Sequence, residues 1–472
     1  MNKYLPLLFL VTIFLAACST IPTGGTAITN VTVIDAINGS RSNQTVIFHD
    51  DKITVVLPAK EEFQASETID GTGKYLIPGL WDFHVHLTYD DRFTQTMPAL
   101  FLSYGITSVR DTGGLLDKIL PVVNAMRSDT AIAPRVYFSG PLLDGKFVVY
   151  DGKSVPEIGV RNATADEARA MISGLKNQGV DFIKVYELVT PSVFHAMVEA
   201  ANALNLPIDS HVPLSMLASE AGPLVDSIEH LRNIELDCAS DSLALHKTRL
   251  ELLENTDDIS GYKLRSSLHA LQRLPAIANY SEQRCDQTLA ALTSTTQVPT
   301  LRLNTVTVYP PYQRSGWKNA IGRTPVSVQN EWIQLGNKLK QRQANVDSTF
   351  ADWSLFLTGR MHERGIPIAA GTDTPIGLSV PGYSLHSELE MLVKAGLSPL
   401  EALRSATLRP AEYFSLQNEL GSIDVGKKAD MVLLDKNPLD DIRNTKTIAA
   451  VISKGRLLNK PELLEMVRNS GQ

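Results

Sequence analysis

Between residues 80 and 373 the sequence carries eight short apolar runs: Leu80 to Leu87, Ile106 to Arg110, Arg135 to Ser139, Phe182 to Tyr186, Pro207 to Val212, Ser227 to His230, Pro299 to Leu303 and Pro367 to Asp373. Segments with helical periodicity lie between most of them, among them Thr164 to Asn177, Ser192 to Leu204 and Trp353 to Arg364. Alternation of this kind makes successive strands parallel, and a parallel sheet of this size closes on itself with helices outside. The pattern therefore predicts an α/β fold, a (β/α)8 TIM barrel over 77–415. Two connections, about 231–297 and 304–356, exceed plain loops and are expected to carry function or helices of their own. The second contains Tyr309-Pro310-Pro311-Tyr312.

Outside the barrel the pattern changes to β-branched alternation. Ile28 to Asp35 and Thr45 to Leu57, separated by His49-Asp50-Asp51-Lys52, read as strands, as do Ser422 to Leu434 and Thr447 to Arg456. They predict a small composite β-sandwich domain built from both chain ends, over 27–76 and 416–460. With 472 residues, 43% of them hydrophobic and 20% charged, the chain can bury cores of this size. Its net charge of −7, without a run of five Lys or Arg, argues against nucleic acid as a partner.

The N-terminus reads as an address. Lys3 precedes a mostly apolar stretch from Leu5 to Ala17 that is too short to span a bilayer. Its end, Leu15-Ala16-Ala17-Cys18, resembles the bacterial lipobox. That resemblance implies a signal peptide over 1–17, lipidation of Cys18 and a tether over 18–26; an ordinary secretory signal cut nearby is the alternative. Without an Asp after the cysteine, where Ser19 stands, the expectation is a periplasm-facing protein on the outer membrane of a Gram-negative bacterium, held by the lipid alone. Cys238 and Cys285 remain, in a compartment that permits a disulfide, and the sequence leaves both pairing and free thiols open.

In such a barrel, chemistry sits where strands end at their carboxyl edge. The first run ends Asp82-Phe83-His84-Val85-His86, and residues two apart on a strand share a side, so both imidazoles can face one ion. His211 ends the fifth run, His230 the sixth and Asp373 the eighth, which closes beside the first. Lys184 lies in the apolar run Asp181-Phe182-Ile183-Lys184-Val185-Tyr186, where burial favours the neutral amine. Such an amine can add carbon dioxide to give a carbamate, an anionic oxygen ligand; pairing with Glu187 or another carboxylate is the alternative. Mixed imidazole and carboxylate donors suit zinc, with manganese, iron or cobalt also compatible.

These residues resemble the amidohydrolase superfamily, in the subgroup holding two metals bridged by a carboxylated lysine. The resemblance rests on Pro78-Gly79-Leu80-Trp81-Asp82-Phe83-His84-Val85-His86, on Gly105-Ile106-Thr107-Ser108-Val109-Arg110-Asp111, on Gly371-Thr372-Asp373 and on Gly421-Ser422-Ile423-Asp424-Val425-Gly426-Lys427-Lys428-Ala429-Asp430. It implies that His84, His86 and Asp373 bind one divalent metal, that His211 and His230 bind a second, and that N6-carboxylated Lys184 joins them. His386-Ser387-Glu388-Leu389-Glu390 and the segment from Ala395 to Leu403 are similar to imidazolonepropionase-like and dipeptidase-like members. Arg409 stands where relatives often carry Asn, at a helix end remote from the ligands.

The implied activity is cleavage of a C–N bond in a small amide, such as a dipeptide or N-acyl amino acid, by a metal-bridging hydroxide. Two divalent ions bring a bridging water near neutrality, and Asp373 is placed to carry its proton to the leaving nitrogen. Arg110 is a candidate for a substrate carboxylate, with an ion pair to Asp111 or another barrel carboxylate as the alternative. Tyr186 and Tyr383 are candidates for the substrate carbonyl. Two other functions fit the same residues: a metal-dependent esterase, lactonase or phosphotriesterase-like hydrolase, and a catalytically silent lipoprotein scaffold. The oligomeric state is left open.

Overall fold

The computed structural model describes residues 24–128, 130–153, 155–256, 259–341 and 346–470. The proposed signal peptide, Cys18 and most of the tether lie outside the described residues. Among the described residues, no helix is long and apolar enough to cross a membrane.

Eight strands from both chain ends form one sheet, and their apolar faces share a core that includes Ile28, Val46, Phe48, Leu433 and Ile452. The two ends meet where Met431–Leu434 runs antiparallel to Tyr75–Pro78. From there the chain enters the barrel through a single residue, Gly79. A Cβ at this position would lie 2.0 Å from Thr107 Oγ1, so only glycine lets the sheet and the barrel approach so closely.

The barrel begins with Leu80–Val85, Ile106–Asp111 and Arg135–Phe138, each parallel to the next. The ladder passes to the fourth strand through Leu142–Asp144, which runs parallel to Ile183–Val185, and through the Asp181 N–H donated to the Phe138 carbonyl at 2.9 Å. Ile208–Ser210, Ser227–Glu229 and Thr296–Val298 continue the parallel series. The eighth segment bonds on both sides without forming a long ladder: Ala369 N–H donates to Gln297 and Phe83 N–H donates to the Ala370 carbonyl, each at 2.9 Å. Parallel bridges from Ile368 to Gln297 and from Thr374 to Val85 complete the closure.

The seventh strand lies at Thr296–Val298, ahead of the Pro299 to Leu303 run. Pro299 has no N–H to continue a ladder, Thr300 turns the chain with φ 44°, and Leu301–Asn304 forms a helical turn. Helices wrap the outside as their sequence boundaries suggest. Thr164 and Thr190 cap Ala165–Asn177 and Pro191–Ala203, each side-chain oxygen accepting a backbone N–H of the first turn.

The long connection after the sixth strand is helical, comprising Ile234–Asp237, Ser242–Glu254, Gly261–Ala278 and Glu282–Ala291. Cys238 and Cys285, whose pairing the sequence left open, form a disulfide that closes this excursion across 47 residues. After the seventh strand, Val326–Gln341 and Thr349–Glu363 build the second excursion.

Candidate metal centre

His84, His86, Lys184, His211, His230 and Asp373 line one cavity at the carboxyl-terminal mouth of the barrel. All six are buried. The ring centroids of His84 and His86 are 5.2 Å apart, those of His84 and His230 4.6 Å, and those of His211 and His230 4.9 Å. Asp373 Oδ1 lies 3.3 Å from His84 Nε2 and 3.2 Å from His86 Nε2. Ligand atoms of His84, His230 and Asp373 all fall within 4.8 Å of one another.

Local backbone choices make this convergence possible. Asp373 sits at φ 58° and His230 at φ 60°, conformations that non-glycine residues rarely adopt and that occur at functional sites. Gly371 lets the eighth segment press against the first strand, since a Cβ there would lie 2.7 Å from His84 Cβ.

Each histidine is held through its Nδ1. His84 Nδ1 meets Glu229 Oε2 at 2.5 Å, His211 Nδ1 meets Glu187 Oε1 at 2.7 Å, and His86 Nδ1 meets the Gly113 carbonyl at 3.1 Å. His230 Nδ1 meets Thr300 Oγ1 at 2.7 Å, while that hydroxyl donates to the Pro299 carbonyl at 2.8 Å. In all four cases the partner can accept from Nδ1, which leaves Nε2 to face the cavity. A carboxylate, carbonyl or hydroxyl acceptor behind each imidazole is the arrangement that orients histidine ligands to metals. The donor set therefore fits divalent cations: four oriented imidazoles and one carboxylate, with a lysine in the same cavity.

Charges around the ligands reinforce this geometry. Burial, followed by the charge of Lys184, pushes the His211 pKa down to about 3, which keeps its imidazole neutral. Burial works to raise the Glu187 pKa, but Arg265 and His269 more than offset it and hold the carboxyl well below the usual range. Arg265 Nη2 contacts Glu187 at 3.1 Å and His269 Nε2 contacts it at 2.5 Å.

Lys184 Nζ lies 2.9 Å from Asp209 Oδ2, so the amine makes the pairing with another barrel carboxylate that the sequence held as the alternative to a carbamate. Tyr186 lines the cavity, with its ring 4.4 Å from that of His211. Arg110 does not reach substrate space. It is fully buried beneath the ligands, donating from Nε to the Phe83 carbonyl at 2.7 Å and pairing with Glu229 and Asp209. The cause is strand alternation: Arg110 points into the barrel interior, where these two carboxylates require a cation. Tyr383 is also elsewhere. Its hydroxyl donates to the Ser315 carbonyl at 2.7 Å and its ring packs on Tyr104, outside the residues that line the cavity.

The sequence reading did not anticipate Tyr150, Arg232, Arg265 and His269. The first three line the cavity, and His269 braces Glu187 behind it. One signal was available, because Arg265, His269 and Arg273 are spaced by four along Gly261–Ala278 and so share a helix face. Tyr150 and Arg232 lie in irregular segments, where no periodicity marks direction.

A closed α/β barrel whose strand ends carry this donor set defines a class of metal-binding barrel. The amidohydrolase family profile matches residues 75–236 and 357–458, more than half of the chain, and this chain belongs to that family. It is 35% identical over 103 residues to imidazolonepropionase of Symbiobacterium thermophilum, covering 21% of this chain and 24% of the relative. It is also 35% identical over 102 residues to ochratoxinase of Aspergillus niger, covering 21% and 20%. The chain thus matches about a quarter or less of these relatives' length. Among solved structures, a Xaa-Pro dipeptidase superposes with TM-score 0.64 at 19% identity, covering 92% of this chain and 99% of the other. Bottromycin amidohydrolase superposes with TM-score 0.68 at 21% identity, covering 94% and 90%. At such identity the superpositions establish the fold.

Proposed function

We propose that this protein is a metal-dependent hydrolase that cleaves the C–N bond of a small amide, such as a dipeptide or N-acyl amino acid. The observation carrying this reading is the set of four imidazoles, each anchored at Nδ1, that surround Asp373 in one buried cavity with Lys184. The names of the relatives, which include imidazolonepropionase and a Xaa-Pro dipeptidase, agree with a C–N bond as the target.

His84, His86 and Asp373 would hold one divalent ion and His211 and His230 a second, with zinc favoured by the donor types and a carboxylated Lys184 between them. When bound, the ions supply an activated water at neutral pH and a Lewis acid for the substrate carbonyl. The chain's own contribution is orientation and proton handling. Glu229, Gly113, Glu187 and Thr300 fix the imidazoles. Asp373, at the end of the eighth segment, accepts a proton and returns it to the leaving nitrogen.

Elemental mass spectrometry of the purified protein tests this directly. We expect about two metal ions per chain, and a Lys184→Ala variant should retain markedly less. Metal-free protein that takes up none on reconstitution would overturn the assignment, as would undiminished occupancy in the variant for the bridging role of Lys184.

We further propose that the mature protein is tethered through a lipid on Cys18 and faces an oxidising, periplasmic compartment. The Cys238–Cys285 disulfide supports the second half of this reading. Cys18→Ala is expected to shift the protein from the membrane to the soluble fraction on cell fractionation. Retention in the membrane fraction would refute the lipid anchor.

A further inference from the structure

Arg232 stands out among the charged residues of the site. It follows His230 and Leu231, both in left-handed backbone at φ 60° and 58°, and this sharp turn carries its guanidinium to the cavity that holds Asp373, His230 and Lys184. The other arginines nearby are satisfied: Arg110 by Glu229, Arg265 by Glu187, and Arg302 by the carbonyls of Thr372 and Ile376. Among the described residues, no hydrogen bond or ion pair engages Arg232, and its Nε is buried with no acceptor. Glu187, the acid whose field reaches it, is already occupied by Arg265, His211 and His269. Arg232 is half-buried with its Nε enclosed and no counter-charge paired to it, and an arriving anion would supply one.

The surrounding space indicates what arrives with the anion. Arg232, Tyr150, Asp373 and Ile376 line both the inner cavity and a wider outer one, where Leu303 and Phe350 add apolar walls. Through Val306 and Ile376 the outer cavity adjoins a further cavity of about 700 Å³ lined by Trp332, Leu335 and Leu378 together with Asp90, Arg92 and Glu331. That volume is in the range of pockets that enclose a sizeable organic group.

We propose that Arg232 is the receptor for a carboxylate on the substrate, and that the outer cavities take a bulky apolar group on the same molecule. The substrate class is then an N-acyl amino acid with a large apolar acyl chain. This inference rests on the amide-hydrolase reading above. It assigns to Arg232 the task that the sequence suggested for Arg110.

The test compares N-dodecanoyl-leucine with its neutral carboxamide. Wild-type kcat/KM should favour the acid by about 100-fold, the scale expected when one partner of a hydrogen-bonded charge pair is removed. In Arg232→Met that ratio should fall close to one, and Arg232→Lys should restore part of it, with metal content measured in parallel. A ratio unchanged in Arg232→Met, or a wild type indifferent to the carboxylate, would overturn the receptor. Calorimetry of N-dodecanoyl-leucine with the same proteins separates the two readings. Binding that depends on Arg232 without hydrolysis of either compound would leave the receptor standing and remove the hydrolase, whereas equal hydrolysis of both would do the reverse. Faster hydrolysis of N-acetyl-leucine than of the dodecanoyl compound would remove the apolar acyl site.

Discussion

Replacing Asp373 with asparagine is expected to lower kcat/KM on any amide substrate by about 10³-fold or more, with the melting temperature nearly unchanged. In energy this is about 4 kcal/mol of lost transition-state stabilisation. Asn keeps the size and backbone demands of the position, including its φ of 58°, but carries no negative charge and accepts no proton. Asp373 is the carboxylate facing both His84 Nε2 and His86 Nε2, at 3.3 and 3.2 Å, so in the proposed mechanism its charge would serve ligation as well as proton transfer. Measuring metal content alongside turnover separates these two roles. A variant that loses turnover while keeping its metal locates the defect in proton transfer. A variant within tenfold of wild type on a good substrate would remove Asp373 from the mechanism.

The second large effect is on stability. Arg110→Met should destabilise the fold by about 3–5 kcal/mol, because it removes the guanidinium from two buried carboxylates and leaves Glu229 only His84 and Asp209 only Lys184 and Ser227 as partners. Arg110, Glu229 and Asp209 are all fully buried, and the guanidinium also lies 3.7 Å from the Phe83 ring centroid. The midpoint of urea unfolding reports this loss. If Arg110 instead faced substrate, the same variant would unfold as wild type does and only KM would rise. Because Glu229 also holds His84 Nδ1, weaker metal retention should accompany the instability.

How much of the site was legible depended on where each residue sits. Strand ends were readable because direction there follows from alternation. His84 and His86 share a side by their spacing, and Asp373 neighbours them once eight strands close a barrel. Lys184, His211 and His230 occupy equivalent strand ends. Periodicity placed the helix from Thr164, while the next helix starts at Pro191, one residue ahead of the expected Ser192. Arg110 shows the limit of such reasoning. Its position at a strand end suggested an outward task, but a side chain one residue out of phase points into the interior. Tyr383 fails for a related reason, since it begins a helix whose face is turned to Tyr104 and Ser315.

By itself the sequence determined the architecture and which candidate ligand residues stand at strand ends, because both depend on local period and on residue identity there. Eight alternations imply a closed barrel whatever fills the loops, and β-branched strands at both chain termini imply a shared small β-domain, expected as a sandwich and found as one eight-stranded sheet. The tertiary structure alone decided which groups stand behind the ligands. It set Glu187, Glu229 and Thr300 against the imidazoles, joined Cys238 to Cys285, and left Arg232 without a partner beside the cavity. Those relations link residues far apart in the chain through irregular segments. No periodicity encodes the direction of a side chain there, and only packing fixes it.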